Sequence, residues 1–483
     1  AEIARGSGNH PVRALRLRDA APARGMTGRY RPDPAILELG SDYYDPVRAA
    51  DFPQTILRFR GQRHAETVGL SELSDEDWLR HFGRFAPLPD NLEHPLALRY
   101  HGHQFRTYNP EIGDGRGFLF AQMRDGEDRL LDLGTKGSGQ TPYSRFGDGR
   151  LTLKGGVREV LATEMLEALG VYTSKSFSLI ETGEALTRGD EPSPTRSSVL
   201  VRLSHSHIRY GTFQRLAYLK QLEAIPPLVD YCLRHFVGGT HDDPYAALMD
   251  HAVAGAARLA ASWRAAGFVH GVLNTDNINV TAESFDYGPW RFVPRWDDGF
   301  TAAYFDQFGL YSFGRQAEAL QWNVHQLAMA LRTVAPAESL IPALKTYPER
   351  YEAALAERYL WRLGVKSRDA KADQALALAI EAALGASDIV PDRFWFDWRG
   401  GAQRGPSPAD TVYASDAFAT FRTAVSAYEP AADTTHPYWS DAAPCTMLID
   451  EVEAIWAPID AADDWSSFNA KIAATRRMGE AYA

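Results

Sequence analysis

The spacing of apolar residues changes near residue 212. Before that point, short runs of apolar or alternating residues fall at 118–123, 129–136, 176–181 and 198–203. Such runs predict strands, because alternate side chains of a strand point to opposite faces. After that point, apolar residues recur at helical spacing over long segments. This order predicts an α+β chain in which a strand-rich part precedes a helical part.

The other segments are predicted from helical spacing and from breaker residues. Helices are expected over 157–169, 214–222, 227–236, 244–266, 317–333, 350–385, 450–456 and 466–482. Glycine and proline are enriched in 137–150, and 183–197 is polar, so both segments are expected to be loops. Residues 392–445 are rich in Trp, Pro and Asp and predict no regular element.

Composition and charge exclude several classes of protein. The chain has 483 residues, 45% of them apolar, and its formal net charge is −11. An acidic balance argues against broad nucleic-acid binding, which needs a basic surface. Cys232 and Cys445 cannot form a disulfide framework, and no run of about 18 apolar residues predicts a membrane span. We therefore expect a cytoplasmic protein without nucleic-acid or membrane partners.

The first 24 residues are unusually basic. They contain five arginines, with only Glu2 and Asp19 as acidic residues. A mitochondrial transit peptide would have such a composition. A flexible extension ahead of Met26 is the simpler interpretation, and we expect it.

The segment from His270 to Asn277, with Asp286 after it, carries the clearest chemical pattern. Protein kinases have the motif H-R-D-x-x-x-x-N, which ends in a metal-binding asparagine, and the metal-binding aspartate of D-F-G follows. Aligned on His270, this template places its asparagine on Asn277 and its second aspartate on Asp286. Its catalytic aspartate falls on Val272, which cannot accept a proton, whereas Asp276 directly precedes the asparagine. The pattern predicts chemistry on ATP with a displaced base rather than ordinary phosphotransfer to a protein hydroxyl.

Earlier motifs supply candidate phosphate contacts, although each has a simpler interpretation. The turn with Gly113, Gly115 and Arg116 either brings backbone N–H groups close to phosphates or is an ordinary hairpin turn. Lys136 ends a predicted strand, where a lysine is either solvated or, as in kinases, paired with ATP phosphates. Glu159, in the following predicted helix, either lies on the surface or orients that lysine.

Two arginines, Arg202 and Arg209, flank a Ser-His-Ser-His sequence. A guanidinium group matches phosphate oxygens with two hydrogen bonds, so both are candidate phosphate contacts. Taken alone, they are more simply interpreted as surface arginines. His205 and His207 have no Cys or His partner at a usable spacing, which argues against zinc.

Together these motifs resemble the SelO family, also known as the YdiU family. The matching segments are 102–105, 113–117, 136–145, 148–150, 157–159, 206–211, 274–277 and 286–289. The resemblance covers roughly residues 30–330 and is specific because weak motifs occur in one order. The last hundred or so residues match less well. Many members have a redox-active cysteine near the C-terminus, whereas the nearest cysteine here is Cys445, so redox control is not expected.

The resemblance implies a kinase-like fold that binds ATP with Mg²⁺ in reversed orientation and moves AMP to Ser, Thr or Tyr hydroxyls of proteins. It implies Asp276 as the proton acceptor, and Asn277 with Asp286 as the metal ligands. Lys136, held by Glu159, is then a phosphate contact. The other implied nucleotide contacts are Gly113, Gly115, Arg116, Asp148, Gly149, Arg202, Arg209 and Asp286.

The resemblance also orders the chain into regions. A β-rich N-lobe (27–211) and a helical C-lobe (212–390) are expected between a flexible N-terminal extension (1–26) and a C-terminal extension (391–483). We expect a monomer that acts on ATP and protein substrates. Two alternatives stay open: transfer of UMP from UTP with Mn²⁺, and a non-catalytic nucleotide-binding pseudokinase that scaffolds partners. Val272 favours the scaffold, whereas the retained Asp276 and metal ligands argue against it.

Overall fold

The computed structural model describes residue 26, residues 28–189 and residues 191–483. The predicted N-terminal extension, residues 1–26, lies outside the described residues except for Met26. The Met26 side chain is buried in an apolar cluster with Phe120 and Met123. The described part combines an antiparallel sheet with helices, which confirms the predicted α+β class.

Most strands belong to one sheet. Among the described residues, the strands are β1 (Tyr44–Pro46), β2 (Ile56–Arg60), β3 (Leu96–Leu98), β4 (Gly102–Gln104), β5 (Thr107–Asn109), β6 (Leu119–Arg124), β7 (Leu130–Lys136), β8 (Leu151–Thr152), β9 (Lys175–Leu186), β10 (Thr195–Ser204), β11 (Phe268–Val269) and β12 (Arg291–Phe292). An eight-stranded antiparallel sheet has the order β1-β3-β6-β7-β10-β9-β2, with β8 paired to β10. Strands β4 and β5 form a separate hairpin, and β11 pairs with β12.

Helices dominate the chain after residue 209. Within the described ranges, the α-helices are α1 (Gln62–Thr67), α2 (Asp75–Phe82), α3 (Leu153–Ala168), α4 (Tyr210–Tyr218), α5 (Ile225–Cys232), α6 (Pro244–Ala266), α7 (Gln316–Leu331), α8 (Ala337–Lys345), α9 (Tyr347–Leu363), α10 (Ala370–Gly385), α11 (Pro391–Asp397), α12 (Asp410–Ala414), α13 (Ala419–Val425), α14 (Ile449–Ala462) and α15 (Ser466–Tyr482). None of these helices combines the length and the apolar character needed to cross a bilayer.

Both faces of the sheet are covered. On one face, Leu179 and Leu200 belong to the apolar cluster that includes α3. On the other face, Ile180 and Val201 pack in a cluster with Trp78 of α2. Because successive side chains of a strand alternate in direction, neighbouring apolar positions serve the two faces. This double burial explains the near-continuous apolar runs of the central strands.

The polar segment 183–197, predicted to be a loop, belongs to strands at both of its ends. β9 runs to Leu186 and β10 begins at Thr195, so residues 187–194 alone connect them. Across this pair, Arg196 Nε donates to Oε1 of Glu181 at 2.7 Å. Opposite charges at diagonal positions of neighbouring strands stabilise the pairing, so polar residues here extend the hairpin.

The helical part contains α8, for which no helix was predicted, and it departs from the prediction in two further places. The predicted helix over 350–385 is two helices, because Gly364 ends α9 in a left-handed conformation with φ of 69°. Residues 392–445 contain α11, α12 and α13, for which no element was predicted. Trp395 and Phe421 from these helices are buried in a common apolar cluster, so tertiary packing rather than periodicity stabilises them.

The last helix, α15, returns to the sheet and packs along α3. A Cβ atom on Gly479 would lie 3.2 Å from the Cβ of Ala168, so the two helices are in close contact. Arg476 donates two hydrogen bonds to Glu164 of α3, at 2.7 and 2.8 Å. A bidentate pair of this kind fixes geometry as well as adding energy. The C-terminal segment is therefore anchored on α3.

Candidate active site

A cavity of about 720 Å³ lies against the end of β7 and collects most of the predicted site residues. Those that line it are Gly113, Gly115, Arg116, Lys136, Asp148, Gly149, Arg202, Arg209, Asp276 and Asp286. Two predicted residues do not line it. Glu159 is fully buried behind Lys136, and Asn277 is half-buried beside the cavity-lining Asp276. The segments predicted to act together thus converge, although they are far apart along the chain.

Two cations and two carboxylates meet at the base of the cavity. Lys136 Nζ lies 2.7 Å from Oε2 of Glu159 and 2.8 Å from Oδ1 of Asp286. Arg202 Nη1 lies 3.3 Å from Oε1 of Glu159 and 3.4 Å from Oδ1 of Asp286. Strand register explains why Lys136 and Arg202 lie side by side. Arg202 on β10 is opposite Gly134 on β7, and Lys136 is two residues further along β7, so the two side chains are on the same face of the sheet. Glu159 therefore orients both cations toward Asp286.

Asp286 is held in its ionised form. Its side chain keeps 26% of its surface exposed, toward the cavity that it lines. Partial burial would raise its pKa, but the positive charges of Lys136, Arg202, Arg116 and Arg209 outweigh that effect and hold the pKa well below its usual value. A carboxylate in this state is a suitable ligand for a divalent cation.

Asp276 has the opposite character. Burial raises its pKa to about 6, against the lowering effect of the nearby Arg209. Arg209 Nη1 donates to the backbone carbonyl of Asp276 at 2.8 Å, and Asp276 Oδ1 has no hydrogen-bond partner among the described residues. A carboxylate with a pKa near neutrality and an unsatisfied oxygen is suited to accept a proton.

Arg209 and Asp148 have protein partners inside the cavity. Arg209 Nη2 lies 3.2 Å from Oδ1 of Asp114, and its guanidinium carbon lies 4.2 Å from the ring centre of Tyr100. Asp148 pairs with Arg188, whose Nη1 is 2.7 Å from Oδ2. Sequence analysis did not select Tyr100, Asp114 or Arg188. The signal available for Asp114 was its place between two selected glycines.

The hairpin β4–β5 touches the loop that carries Asp276. The backbone N–H of His103 donates to Oγ1 of Thr275 at 2.7 Å. A Cβ atom on Gly102 would lie 2.7 Å from Oδ1 of Asp276, so only glycine fits there. Segment 102–105 matched the family, but no site residue was predicted in it, and its contacts with Thr275 and Asp276 correct that prediction. Gln104 also lines the cavity.

Asn277 and Asp286 suit a magnesium ion. Asn277 Nδ2 donates to the carbonyl of Val272 at 3.1 Å, which leaves its amide oxygen as the group available for a cation. The described residues hold no cluster of three or more His, Cys, Asp or Glu side chains placed to bind a metal. Mg²⁺ commonly uses one or two protein oxygens, completing its octahedron with water and substrate phosphates. One carboxylate with one amide oxygen therefore fits this ion.

Comparison with known proteins gives the family. Residues 27–476 match the model of the family described as protein adenylyltransferase SelO. This span corrects the expectation that the resemblance ends near residue 330, because the C-terminal segment matches as well.

Curated relatives agree with this assignment. A protein from Gloeobacter violaceus named protein nucleotidyltransferase YdiU is 46% identical over 452 residues, which cover 90% of this chain and 93% of the relative. Its namesake from a Synechocystis strain is 51% identical over 342 residues, covering 69% and 71% of the two chains. A namesake from Hahella chejuensis is 35% identical over 344 residues, covering 70% and 68%. On the strength of the family match over nearly its whole length, the chain belongs to the SelO family.

Proposed function

We propose that this protein moves AMP from ATP to Ser, Thr or Tyr hydroxyl groups of other proteins and releases pyrophosphate. The observation that carries the proposal is that Asp276, with a pKa of about 6 and an unsatisfied oxygen, lines the same cavity as the Lys136–Arg202–Asp286 cluster. A proton acceptor and a set of phosphate-binding cations are the two requirements of nucleotidyl transfer. The names of the relatives support the same class of reaction.

The acceptor oxygen forms a bond to the α-phosphorus of ATP, and the bond from that phosphorus to the bridging oxygen breaks. The hydroxyl proton goes to the carboxylate of Asp276. Pyrophosphate leaves with its charge countered by the cations of the cavity, chiefly Lys136, Arg202 and the exposed Arg116.

Asn277 and Asp286 would hold Mg²⁺, which neutralises phosphate charge and orients the phosphates when it is bound. The low pKa of Asp286 keeps this ligand ionised throughout the pH range in which Asp276 titrates. The two neighbouring carboxylates thus have separate roles, one as a permanent anion and the other as a proton acceptor.

We also propose that the fold is kinase-like, with lobes at 27–211 and 212–390 and a C-terminal extension at 391–483. The salt bridge from strand β7 to helix α3, Lys136 to Glu159, has the same form as the lysine–glutamate pair of protein kinases. The strands of the main sheet lie between residues 44 and 204, and helices follow from residue 210. Val272, at the usual position of the kinase base, is what separates this site from a kinase.

Isotope position distinguishes the proposed reaction from its alternatives. The purified protein is incubated with a protein mixture and Mg²⁺, and with ATP labelled on either the α- or the γ-phosphate. AMP transfer labels protein from the α-phosphate alone. Label from the γ-phosphate alone indicates a kinase. Absence of label from both forms of ATP, and from UTP labelled on its α-phosphate, supports the pseudokinase scaffold. Competition between unlabelled ATP and UTP, with Mg²⁺ or Mn²⁺, decides between AMP and UMP transfer.

We expect the rate of transfer to fall with decreasing pH through about 6. Below that pH Asp276 is protonated and cannot take the acceptor proton, because its pKa is raised from 3.8 to about 6. The raised pKa also means that the folded state binds this proton more tightly than the unfolded chain does. The contribution of Asp276 to stability is thus present at low pH and lost as pH rises through about 6, opposite to activity. A transfer rate that stays constant from pH 5 to 7.5 would contradict the assignment.

Gly102→Ala should slow AMP transfer by about a hundredfold, because a small displacement of a catalytic group costs about that much. The added Cβ would lie 2.7 Å from Oδ1 of Asp276 and would push the carboxylate aside. The matched control is Gly126→Ala, since a Cβ atom there has no atom within 4 Å. The rate is measured with α-labelled ATP at saturating concentration. Equal rates in the two variants would show that the Asp276 position is not critical.

A further inference from the structure

Three large aromatic side chains on the loop between β12 and α7 face solvent. Tyr304 is 84% exposed, Phe305 46% and Phe308 94%, and we call these three residues the aromatic patch. Leaving such a ring in water forgoes the favourable free energy of burying its apolar surface. Groups of exposed apolar side chains commonly mark interaction sites.

The exposure does not come from a loosely held loop. Asp306, which lies between Phe305 and Phe308 in the sequence, is buried. Its carboxylate accepts hydrogen bonds from the backbone N–H groups of Leu310 and Tyr311, both at 2.8 Å, and its own N–H donates to the carbonyl of Ala303 at 3.1 Å. The carboxylate thus holds the turn from inside, while Tyr304 and Phe308 on either side of it remain in solvent.

The same loop rests on the segment that carries Asp276. At its start, a Cβ atom on Gly271 would lie 3.1 Å from the Cβ of Ala302. At its end, Tyr311 donates from its hydroxyl to Oδ1 of Asn274 at 2.8 Å. None of the three residues of the aromatic patch lines the cavity. The patch therefore lies outside the cavity, on a loop that contacts Gly271 and Asn274 of the segment 270–277, which carries Asp276 and which we call the catalytic segment.

Charged groups near the patch are already paired. Arg106 Nη2 lies 2.9 Å from Oε1 of Glu318, and Arg315 Nε lies 3.0 Å from Oε2 of the same carboxylate. Arg315 also donates to the carbonyl of Gly309, next to Phe308. A strongly charged ligand would find no unpaired counter-charge among these groups, whereas an apolar side chain matches the exposed rings.

We propose that the aromatic patch binds the acceptor protein by taking up apolar side chains of an extended segment beside its hydroxyl-bearing residue. The inference rests on the proposed function. The lining of the cavity is charged and suits a nucleotide, so the residues that flank an acceptor hydroxyl must be bound outside it. The aromatic patch is continuous with the catalytic segment through Gly271 and Asn274, and it offers the large rings that dominate protein-binding energy.

The test uses peptides with one central Ser and two kinds of flanking residue. One set has Phe and Leu on both sides of the Ser, and the other has Gly and Ala there. The full-length protein transfers label from α-labelled ATP, and the KM for each set is measured. The variant is Tyr304→Ala/Phe308→Ala, which leaves Phe305 in contact with Phe105. Its matched control is Met329→Ala/Leu378→Ala, which removes two side chains that are 65% and 71% exposed on α7 and α10.

We expect the wild type and the control to favour the apolar set by about tenfold in KM, which corresponds to about 1.4 kcal/mol of binding free energy. The patch variant should lose this preference, while its KM for ATP stays unchanged. The proposal is overturned if the patch variant still prefers the apolar set. It is also overturned if the wild type shows no preference, or if the wild type labels neither set of peptides. The molecular mass of the wild type and of the patch variant in solution is also compared. A lower mass for the patch variant overturns the proposal, because it shows that the aromatic patch binds a second copy of this chain. A wild type that releases no pyrophosphate under any condition refutes the proposed function itself.

Discussion

Asp276→Asn should lower the rate of AMP transfer by about a thousandfold, within the range found for loss of a general base. The amide has nearly the same shape as the carboxyl group but cannot accept the acceptor proton. ATP binding should change little, because the ion-pair cluster around Lys136 and Asp286 is untouched. The free energy of unfolding should stay the same or increase. Burial already disfavours the charged form of Asp276 enough to raise its pKa to about 6, so a neutral side chain is tolerated.

Single-turnover transfer and calorimetric ATP binding separate these effects. The matched control is Asp373→Asn, a buried aspartate on α10 that accepts hydrogen bonds from Ser367 and Tyr428. This control should lower the free energy of unfolding, but its folded molecules should transfer AMP at the wild-type rate. If Asp276→Asn transfers AMP at the wild-type rate, the base is another group and the displaced-aspartate hypothesis is wrong.

Lys136→Met should weaken both the fold and the nucleotide site. Glu159 is fully buried and would lose its closest cation, at 2.7 Å, and Asp286 would lose one at 2.8 Å. Removing one partner of a buried ion pair costs about 3–5 kcal/mol, because the other charge stays buried without compensation. Arg202 still contacts both carboxylates, at 3.3 and 3.4 Å, so we expect the lower end of that range. Chemical denaturation measures the loss, and calorimetry measures the weaker ATP binding.

A double variant separates stability from function. Lys136→Met/Glu159→Met removes both charges and replaces them with apolar side chains of similar length, which is often neutral for stability in a buried pair. The unfolding free energy should return toward the wild-type value, whereas AMP transfer should stay low. Recovery of transfer in this variant would mean that Lys136 acts through the fold alone and does not contact phosphate.

Sequence patterns were most informative where the partners are close along the chain or belong to a known motif. Lys136 and Glu159 are separated by 23 residues, and the strand and helix that carry them are both strongly patterned. Helix α6 was predicted at its observed bounds, because Pro244 begins it and Gly267 ends it in a left-handed conformation. Residues at the two ends of α6 were therefore enough to predict the helix that precedes the catalytic segment.

Contacts between distant segments could not be predicted in this way. The bond from His103 to Thr275 joins residues 172 apart, and Arg209 meets Asp114 across 95 residues. Neither partner has a local pattern that depends on the other, so the β4–β5 hairpin was assigned no role. The strand ends near Arg196 were missed for a similar reason, since the partners of Arg196 lie on other segments, Glu181 on β9 and Asp463 after α14.

The packing of α15 on α3 has a consequence for control of the enzyme. Glu159 and Glu164 lie on the same helix, and Arg476 holds Glu164 from 312 residues downstream. In protein kinases the corresponding glutamate helix can swing away, and phosphorylation or a partner returns it. Here such a movement of α3 would also have to break its contacts with α15. The two hydrogen bonds from Arg476 to Glu164 therefore oppose a movement of α3 that would separate Glu159 from Lys136.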